Sequence, residues 1–359
     1  MKKILLLSKY TRKGASSRLR TMQYISYLEA EGFSIDIQAL FDDDYLTCLY
    51  AKKQQSKLKL IKLFLYRFKA LLSSYKYDVI WVEYEIFPYF PAVFERILKL
   101  FNVKYIVDYD DAIFHNYDLS NNPVIKNTLS RKIDVAMKHA SLVVCGNEYL
   151  MSRARNSGAN DVVYIPTVVD YHRYQPIDIV DNSTINIGWI GSPSTQKYIV
   201  QLAPVFLELA AKHSIKISLV GASADIHNVF GNLDAEILPW SEELEASYIQ
   251  SFDIGLMPLV DGPWEKGKCG YKLIQYMACG VPVIASPIGV NTNIVNNNKC
   301  GRLAANNEEF YQHLIDLIND SNMRKSMGDY GRKAVVEHYS LQEQAPKLIE
   351  MFRSTIQRK

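Results

Sequence analysis

The chain has 359 residues, of which 48% are hydrophobic and 22% are charged, and its formal net charge is +3 at pH 7. A chain of this length and composition can bury a sizeable core and is expected to form two domains. The near balance of charges argues against nucleic acid as a partner, because nucleic-acid-binding surfaces are usually strongly basic.

The cysteines and the apolar runs bear on the cellular setting. The chain contains five cysteines and no Cys-x-x-Cys pair, which argues against a disulfide framework and against a zinc site. A reducing, cytoplasmic setting is therefore expected. The apolar run Ile4–Leu7 is too short for a signal peptide, and no stretch of about 18 apolar residues predicts a membrane span.

Short aliphatic runs alternate with longer helical patterns through the first domain, which is placed at residues 1–166. This alternation predicts βαβ units around a parallel sheet. Helices are expected at 17–30 and 91–101, where apolar residues recur at steps of three and four. The strands expected in this domain are 3–8, 35–40, 78–83, 104–108, 142–145 and 162–165.

A segment with two prolines and no clear period predicts the linker, residues 167–184. The alternating pattern then restarts, which predicts a second Rossmann-like domain at 185–338. The last part of the chain shows only helical patterns with a break near 339–340, and the terminal helix, 339–359, is expected to pack back on the first domain. The strands expected in the second domain are 185–190, 216–220, 235–238, 252–257 and 281–285.

Loops that follow strands are the candidate functional segments, because ligands of doubly wound sheets bind beyond the carboxyl ends of the strands. The loop after the first strand carries Gly14, Ala15 and Arg18 just before a helix. Small residues there allow the backbone to approach an anion, and a helix N-terminus favours that anion. The loop lacks the Gly-x-Gly-x-x-Gly fingerprint, so a simple turn is an equal alternative.

The loop after 104–108 contains Asp110, Asp111 and His115. Its carboxylates are candidates to bind sugar hydroxyls or a metal, and His115 is a candidate to hydrogen-bond a hexose. The alternative is structural: one of the aspartates caps the next helix, and His115 packs.

Two segments of the second domain suit a phosphate. Ser192 and Lys197 follow its first strand, and a lysine in the first turn of a helix is poorly placed unless an anion is near. An exposed lysine of no function is the alternative for Lys197.

The second of these segments is Lys-Cys-Gly-x-Lys, residues 268–272, at the start of a helix. Gly270 leaves the first amides of that helix open to a diphosphate, and Lys268 and Lys272 can neutralise it. Gln275, about one turn along, can hydrogen-bond ribose hydroxyls, and Cys269 completes the motif. A merely amphipathic crossover helix would not explain this pattern.

These motifs resemble those of the retaining, family 4 type (group 1) glycosyltransferases with the GT-B fold. The resemblance covers nearly the whole chain and is most specific over residues 253–286. It implies two Rossmann-like domains facing a cleft, with the acceptor on the first and a nucleotide diphosphate sugar on the second. It also implies transfer of a hexose-type sugar with retained configuration, in surface polysaccharide or glycolipid assembly, without a cofactor or an obligatory metal. His115 would then orient the sugar.

The chain departs from that family at the Glu-x7-Glu motif, whose glutamates contact the donor ribose and lie near the hexose. The matching positions are Gln275 on the ribose side and Gly267 on the hexose side, so both carboxylates are absent. Glu265 is the candidate to replace the carboxylate near the hexose. An arginine that the family places beside the diphosphate is replaced by Ser192. Lys268 and Arg18 are the candidates to compensate.

Residues 45–77 contain no acidic residue and interleave cations with aliphatic and aromatic side chains. Such a segment suits the surface of an anionic membrane, as a lipid-linked acceptor would require, and the protein would then lie at the inner membrane face. An ordinary helix with a solvated basic face is an equal alternative. The cations are Lys52, Lys53, Lys57, Lys59, Lys62, Arg67, Lys69 and Lys76.

Two other functions remain open at this point. A nucleotide-sugar epimerase can use the same architecture, and the missing carboxylates also suit a catalytically silent protein that binds sugar nucleotides.

Overall fold

The fold is taken from a computed structural model, which describes residues 1–50, 53–177 and 184–358. Lys52 of the basic segment and residues 178–183 of the linker lie outside the described residues.

The chain divides into two compact units. Unit 1 contains Met1–Thr167, Gly267–Cys269 and the residues from Gln344 onward. Unit 2 contains Val168–Lys266 and Gly270–Glu343. Each unit contains one six-stranded parallel sheet, which confirms the predicted α/β architecture with two Rossmann-like domains.

The central strands of unit 1 are buried, as expected of a parallel sheet that is covered on both faces, whereas its two edge strands are partly exposed. Each of the six strands begins and ends within two residues of its prediction. They are β1 (Lys2–Tyr10), β2 (Phe33–Phe41), β3 (Val79–Glu83), β4 (Tyr105–Tyr109), β5 (Leu142–Cys145) and β6 (Val162–Tyr164). Their order across the sheet is β2-β1-β3-β4-β5-β6, and every pair is parallel.

The stretch 17–30 is helical as predicted, but in three types: a π-helical turn (Ser17–Thr21), a 3-10 turn (Met22–Tyr24) and a short α1 (Ile25–Ala30). Polar side chains compete with the regular ladder there. Thr21 Oγ1 donates to the Ser17 carbonyl at 2.6 Å. The other helices of this part of the chain are α2 (Asp43–Tyr50), α3 (Lys57–Leu72), α4 (Val93–Leu100), α5 (His115–Asp118), α6 (Pro123–Leu129), α7 (Lys132–His139) and α8 (Glu148–Asn156).

The sheet of unit 2 has the strand order β12-β11-β10-β7-β8-β9, again with every pair parallel. Five strands were predicted. The sixth was missed because its three residues, Gly-Arg-Leu, contain no β-branched or aliphatic run. The strands are β7 (Ile185–Ile190), β8 (Ile215–Val220), β9 (Ala235–Leu238), β10 (Ile254–Met257), β11 (Val283–Ala285) and β12 (Gly301–Leu303).

Helices cover both faces of this sheet, and the predicted break near 339–340 separates the last two. Around the break, the amide of Leu341 donates to the Val169 carbonyl at 2.8 Å. The helices are α9 (Gln196–Val200), α10 (Ala203–Ala210), α11 (His227–Phe230), α12 (Glu245–Gln250), α13 (Pro263–Lys266), α14 (Tyr271–Ala278), α15 (Val290–Asn298), α16 (Asn307–Asn319), α17 (Ser321–His338) and α18 (Leu341–Gln357).

The end of α18 packs in unit 1, which confirms the prediction that the terminal helix returns to the first domain. The ring of Phe352 contacts Trp81 edge-on at 5.0 Å and Phe33 at 6.3 Å between centroids. Lys104 Nζ donates to the Ile356 carbonyl at 2.8 Å. Aromatic contacts of this kind add to the burial of apolar area, so they hold the helix in the core. None of the described helices is long and apolar enough to cross a membrane.

Candidate functional site

Each sheet has one point where the strand order reverses, and such a point is the usual ligand position in this architecture. In unit 2 the point lies between β7 and β10, and in unit 1 it lies between β1 and β3. The loops that follow these strands include the predicted Ser192 segment and the Gly14 loop.

In unit 2 the loop after β7 is a tight turn without room for larger side chains. A Cβ at Gly191 would clash with the ring of Trp189. The amide of Ser192 donates to Thr195 Oγ1 at 3.1 Å, and the amide of Thr195 donates to the Ser192 carbonyl at 2.9 Å. Lys197 is exposed in α9, with Nζ 4.9 Å from the centroid of the Tyr198 ring.

Helix α14 begins at Gly270, where any other residue would strain the backbone and clash with a neighbour. Gly270 has a φ of 68°, and a Cβ there would lie 2.5 Å from Ile294 Cδ1. No side chain caps the helix, and its first turn contains no acidic residue. Lys272 Nζ lies 4.8 Å from the centroid of the Trp189 ring, so the structure brings this lysine together with the strand that carries the Ser192 turn.

Gln275 is buried in unit 2 and takes part in a hydrogen-bond chain. Its Nε2 donates to the Tyr174 hydroxyl at 3.0 Å, and that hydroxyl donates to Glu245 Oε1 at 2.6 Å. Trp240 Nε1 donates to Glu245 Oε2 at 2.8 Å. No sequence pattern indicated Tyr174 and Glu245, because they lie 101 and 30 residues from Gln275 and no local motif connects them.

Glu265 lies in α13, and its carboxylate accepts a hydrogen bond from the Tyr198 hydroxyl. The side chain is buried, and Tyr198 directly follows Lys197 in the chain. The structure therefore brings the segments of Glu265 and Lys197 together within unit 2.

In unit 1 a buried carboxylate that the sequence analysis missed ends β3. Glu83 Oε2 accepts from Ser17 Oγ at 2.6 Å and from the Lys9 amide at 2.8 Å. Within the described residues, Glu83 Oε1 has no hydrogen-bond partner. Burial raises the pKa of Glu83 to about 7, against the opposing hydrogen bond of Ser17. The residue looked like an ordinary strand end in the sequence, so no motif drew attention to it.

A second pair fixes the end of β4. Arg20 binds Asp108 through two contacts, Nε to Oδ1 at 2.8 Å and Nη2 to Oδ2 at 3.2 Å. Arg20 Nη1 also donates to the Ile165 carbonyl at 2.8 Å. Because both side chains are buried, this bidentate pair holds the carboxyl ends of β4 and β6 in one position.

Asp110 and Asp111 follow that pair at the edge of the sheet. Asp110 accepts a hydrogen bond from the Tyr84 hydroxyl, and Asp111 Oδ1 lies 3.9 Å from Lys268 Nζ. Desolvation, together with the Asp110 charge, raises the pKa of Asp111 to about 6, although the Lys268 ammonium opposes the shift. The capping alternative is wrong, because the residue at the N-cap of α5 is Phe114 and no side chain caps that helix.

His115 is held at both ring nitrogens. Its Nδ1 lies 2.7 Å from Asp118 Oδ1, and its Nε2 lies 2.9 Å from the Tyr149 hydroxyl. Arg153 Nη1 contacts the other oxygen of Asp118 at 3.0 Å. These contacts match the structural alternative, in which His115 packs within the protein. To hydrogen-bond a sugar, the imidazole would have to break its contact with Asp118 or with Tyr149.

The segment Gly267–Cys269 packs in unit 1, in the same unit as Asp111. Asn147 Nδ2 donates to the carbonyls of Gly267 at 2.8 Å and of Lys268 at 3.0 Å. Cys269 Sγ donates to the Asp110 carbonyl at 3.2 Å. A Cβ at Gly267 would clash with Ala112, which explains physically why a carboxylate side chain is absent at this position.

The Gly14 loop closes on itself in unit 1. The amide of Gly14 donates to the Thr11 carbonyl at 2.9 Å, and a Cβ at Gly14 would lie 2.5 Å from Tyr10 Cβ. Ala15 is exposed, whereas Arg18 is buried and its Nη1 donates to the Arg12 carbonyl at 3.3 Å. Across the described part of the chain, no group of three or more His, Cys, Asp or Glu side chains is arranged to hold a metal ion.

Comparison with known proteins gives the class of protein. The structure is similar to sucrose-phosphate synthase from Thermosynechococcus elongatus, with a TM-score of 0.75 and 17% identity over 99% of each chain. It is also similar to HepE of Anabaena in complex with UDP, with a TM-score of 0.70 and 14% identity over 99% of this chain and 100% of that one. WaaG, a glycosyltransferase involved in lipopolysaccharide biosynthesis, matches at a TM-score of 0.65 and 12% identity over 97% and 99%. The two Rossmann-like domains therefore form a GT-B fold.

The family follows from the second unit. Residues 184–320 match the model of the family described as Glycosyl transferases group 1. A search of curated proteins found no match. This match over residues 184–320, together with the GT-B fold, confirms the resemblance of the motifs to the family 4 type (group 1) glycosyltransferases.

Proposed function

We propose that this glycosyltransferase moves a hexose-type sugar from a nucleotide diphosphate sugar to a glycan or lipid-linked acceptor, with retained anomeric configuration. The observation that carries the proposal is the start of α14, where Gly270 leaves the helix without a side-chain cap and Lys272 lies beside Trp189. The solved structures of HepE contain UDP and UDP-glucose, which supports a donor of this class.

The donor diphosphate is proposed to bind at this helix start. Backbone amides at a helix N-terminus and a nearby ammonium both stabilise negative charge, and that charge grows as the nucleoside diphosphate leaves. Lys272 supplies the ammonium, and Ser192 supplies a turn with little steric bulk after β7. Lys197 is the second cation proposed for unit 2. This arrangement calls for no obligatory metal.

The two carboxylates of the family motif that this chain lacks are proposed to be replaced in part. Gln275 is proposed to hydrogen-bond the donor ribose, and Glu265, whose carboxylate is fixed by Tyr198, is proposed to lie near the hexose. Lys268 contacts Asp111, which reduces the charge it can offer a phosphate. The compensating role of Lys268 and Arg18 is therefore proposed to be smaller than that of Lys272.

The acceptor is proposed to bind at the carboxyl edge of the sheet in unit 1. Asp110 and Asp111 can accept hydrogen bonds from sugar hydroxyls, and the raised pKa of Asp111 lets it hold a proton below about pH 6. Retention needs no protein nucleophile when the acceptor hydroxyl attacks from the side of the leaving group. The acceptor oxygen then forms the new bond, the donor oxygen takes the electron pair of the old one, and the hydroxyl proton passes to the departing phosphate.

We also propose that unit 1 lies on an anionic membrane. Helix α3 exposes an apolar stripe at steps of three and four residues, although an ordinary surface helix would turn that stripe to the core. Leu58 is 80% exposed, Leu65 60% and Leu72 64%. Lys62 and Lys69 lie among them and are exposed too.

Helix α4 extends this surface. Val93 is 44% exposed, Ile97 40% and Leu100 80%, and the Phe94 ring contacts Phe68 of α3 at 5.9 Å between centroids. Apolar side chains surrounded by lysines fit the interface of a bilayer with anionic lipids. A lipid-linked acceptor is the reason that such a surface would be useful.

A transfer assay tests the proposed reaction. The full chain is incubated with radiolabelled nucleotide diphosphate sugars, with and without a glycan and lipid extract as acceptor. We expect label to move to the acceptor fraction with its configuration retained. An isomerised sugar formed without acceptor would identify an epimerase, and binding without turnover would identify a silent protein. Either result would overturn the proposal.

A further inference from the structure

The function proposed so far uses Gln275 but gives no role to Tyr174 and Glu245, which form a hydrogen-bond chain with it. All three side chains are about 2% exposed, and all three belong to unit 2. Glu245 is satisfied at both oxygens, because Trp240 Nε1 donates to Oε2 at 2.8 Å and Arg173 Nη2 contacts Oε1 at 3.1 Å.

The donors and acceptors of this chain have a fixed direction. A carboxylate only accepts, so the single proton of the Tyr174 hydroxyl points to Glu245 Oε1, at 2.6 Å. The Tyr174 oxygen can then only accept from Gln275, which it does from Nε2 at 3.0 Å. Burial and the Glu245 charge raise the pKa of Tyr174, so the hydroxyl keeps its proton.

This direction also fixes the Gln275 amide. An amide has one donating and one accepting end, whereas the two oxygens of a carboxylate are equivalent. Because the Tyr174 oxygen accepts from Nε2, the carbonyl oxygen Oε1 of the amide points away from Tyr174. The Gln275 side chain bonds Tyr174 through Nε2, and its Oε1 takes no part in the chain to Glu245. That oxygen is left as an acceptor for a ligand hydroxyl.

We propose that Tyr174 and Glu245 are positioning residues, whose contacts with Gln275 hold its carbonyl oxygen in place to accept a hydrogen bond from the donor ribose. The neutral amide of Gln275 can then accept the ribose hydrogen bond that a glutamate accepts in the family motif, provided that its carbonyl oxygen stays oriented toward the ribose. The inference rests on the proposed binding of a nucleotide diphosphate. It assigns the recognition of the ribose hydroxyls to three hydrogen-bonded residues, Tyr174 of the linker, Glu245 of α12 and Gln275 of α14.

Calorimetry with UDP and with 2′,3′-dideoxy-UDP tests the proposal on the full chain. The parent protein should bind UDP roughly five- to tenfold more tightly than dideoxy-UDP, because one neutral hydrogen bond contributes about this much to affinity. Tyr174→Phe should reduce that preference to about twofold or less, while the affinity for dideoxy-UDP stays the same. A merely structural role would weaken both ligands alike.

The matched control is Tyr276→Phe. Tyr276 is the next residue of α14, is fully buried, and its hydroxyl donates to the Leu256 carbonyl at 3.2 Å without contacting Gln275. This variant should be less stable but should keep the full preference for UDP.

A second background separates orientation from other effects. In Gln275→Glu both oxygens can accept, so the preference for UDP should survive, and adding Tyr174→Phe to that variant should not abolish it. If Tyr174→Phe keeps the preference in the parent, or removes it equally in the Gln275→Glu background, the positioning role is wrong. If the parent binds UDP without any preference for the ribose hydroxyls, or does not bind UDP, the proposed donor site itself fails.

Discussion

The two sheets share an architecture but differ in charge where their strands end. In unit 1, β3 ends in Glu83 and the second-to-last residue of β4 is Asp108, with Asp110 and Asp111 directly after β4. In unit 2, β7 and β10 are followed by Gly191 and Ser192 and by Pro258, with a lysine nearby in α14. The same fold thus presents acceptors for hydroxyl groups in one unit and small residues with cations in the other, which suits an uncharged sugar in the first and a phosphate in the second.

The most severe test of this contrast is to remove the cation from unit 2. Lys272→Ala should weaken the binding of nucleoside diphosphates by roughly ten- to hundredfold, the usual worth of a hydrogen bond to a charged group. Calorimetry with UDP and uridine measures it, and uridine should bind both proteins alike. Lys333→Ala, an exposed lysine of α17, is the control. An unchanged affinity for UDP would remove Lys272 from the site.

The buried carboxylate of unit 1 predicts an unusual dependence of stability on pH. Burial raises the pKa of Glu83 from 4.5 to about 7, so its contribution is fully present below pH 4.5 and is lost as the pH rises through about 7. Glu83→Gln removes that loss. Relative to the parent, the variant should gain up to about 3 kcal/mol in unfolding free energy between pH 4.5 and pH 8, at about 1.4 kcal/mol per pKa unit.

Urea unfolding at several pH values measures this effect. Glu29→Gln, which changes an exposed carboxylate of the same unit, should show no such trend. A difference between Glu83→Gln and the parent that is constant with pH would contradict the raised pKa.

His115 tests whether the loop of unit 1 contributes to turnover and not to donor binding. Its contacts with Asp118 and Tyr149 stiffen the loop that carries Asp110 and Asp111, so His115→Ala should lower turnover about tenfold. The affinity for UDP should change less than twofold, because the proposed diphosphate contacts are in unit 2. Steady-state kinetics together with calorimetry would show this split, and equal kinetics for variant and parent would take His115 out of the account.

The smallest expected effect concerns the outer surface of unit 1. Lys62→Gln should lower binding to vesicles with anionic lipid about fivefold, since one cation near such a surface contributes about 1 kcal/mol. Binding to neutral vesicles should not change. Vesicle sedimentation measures both, with Lys333→Gln of unit 2 as the control. A parent protein that ignores anionic vesicles would refute the membrane proposal.

The central strands were predictable because parallel strands buried on both faces contain continuous aliphatic runs, as β1 does at 4–7 and β5 at 142–144. The short β12 was not, since its pairing with β11 and not its composition makes it a strand. The region 17–30 was read as one helix because apolar spacing does not reveal that Thr21 bonds back to Ser17.

The candidate site divides in the same way. Gly270 and Lys272 were found because they lie within five residues of each other and share a local motif. Glu245 and Tyr174 approach Gln275 only through tertiary folding, so no spacing pattern could reveal them. The two hydrogen bonds of His115 likewise depend on a partner 34 residues away, Tyr149.

A crystal structure of the full chain with UDP would show directly where the nucleotide binds. Diphosphate oxygens are expected within about 3 Å of the first amides of α14 and of Lys272 Nζ, with the ribose beside Gln275. A nucleotide bound away from α14, or a diphosphate held by the carboxyl edge of the sheet in unit 1, would contradict this expectation.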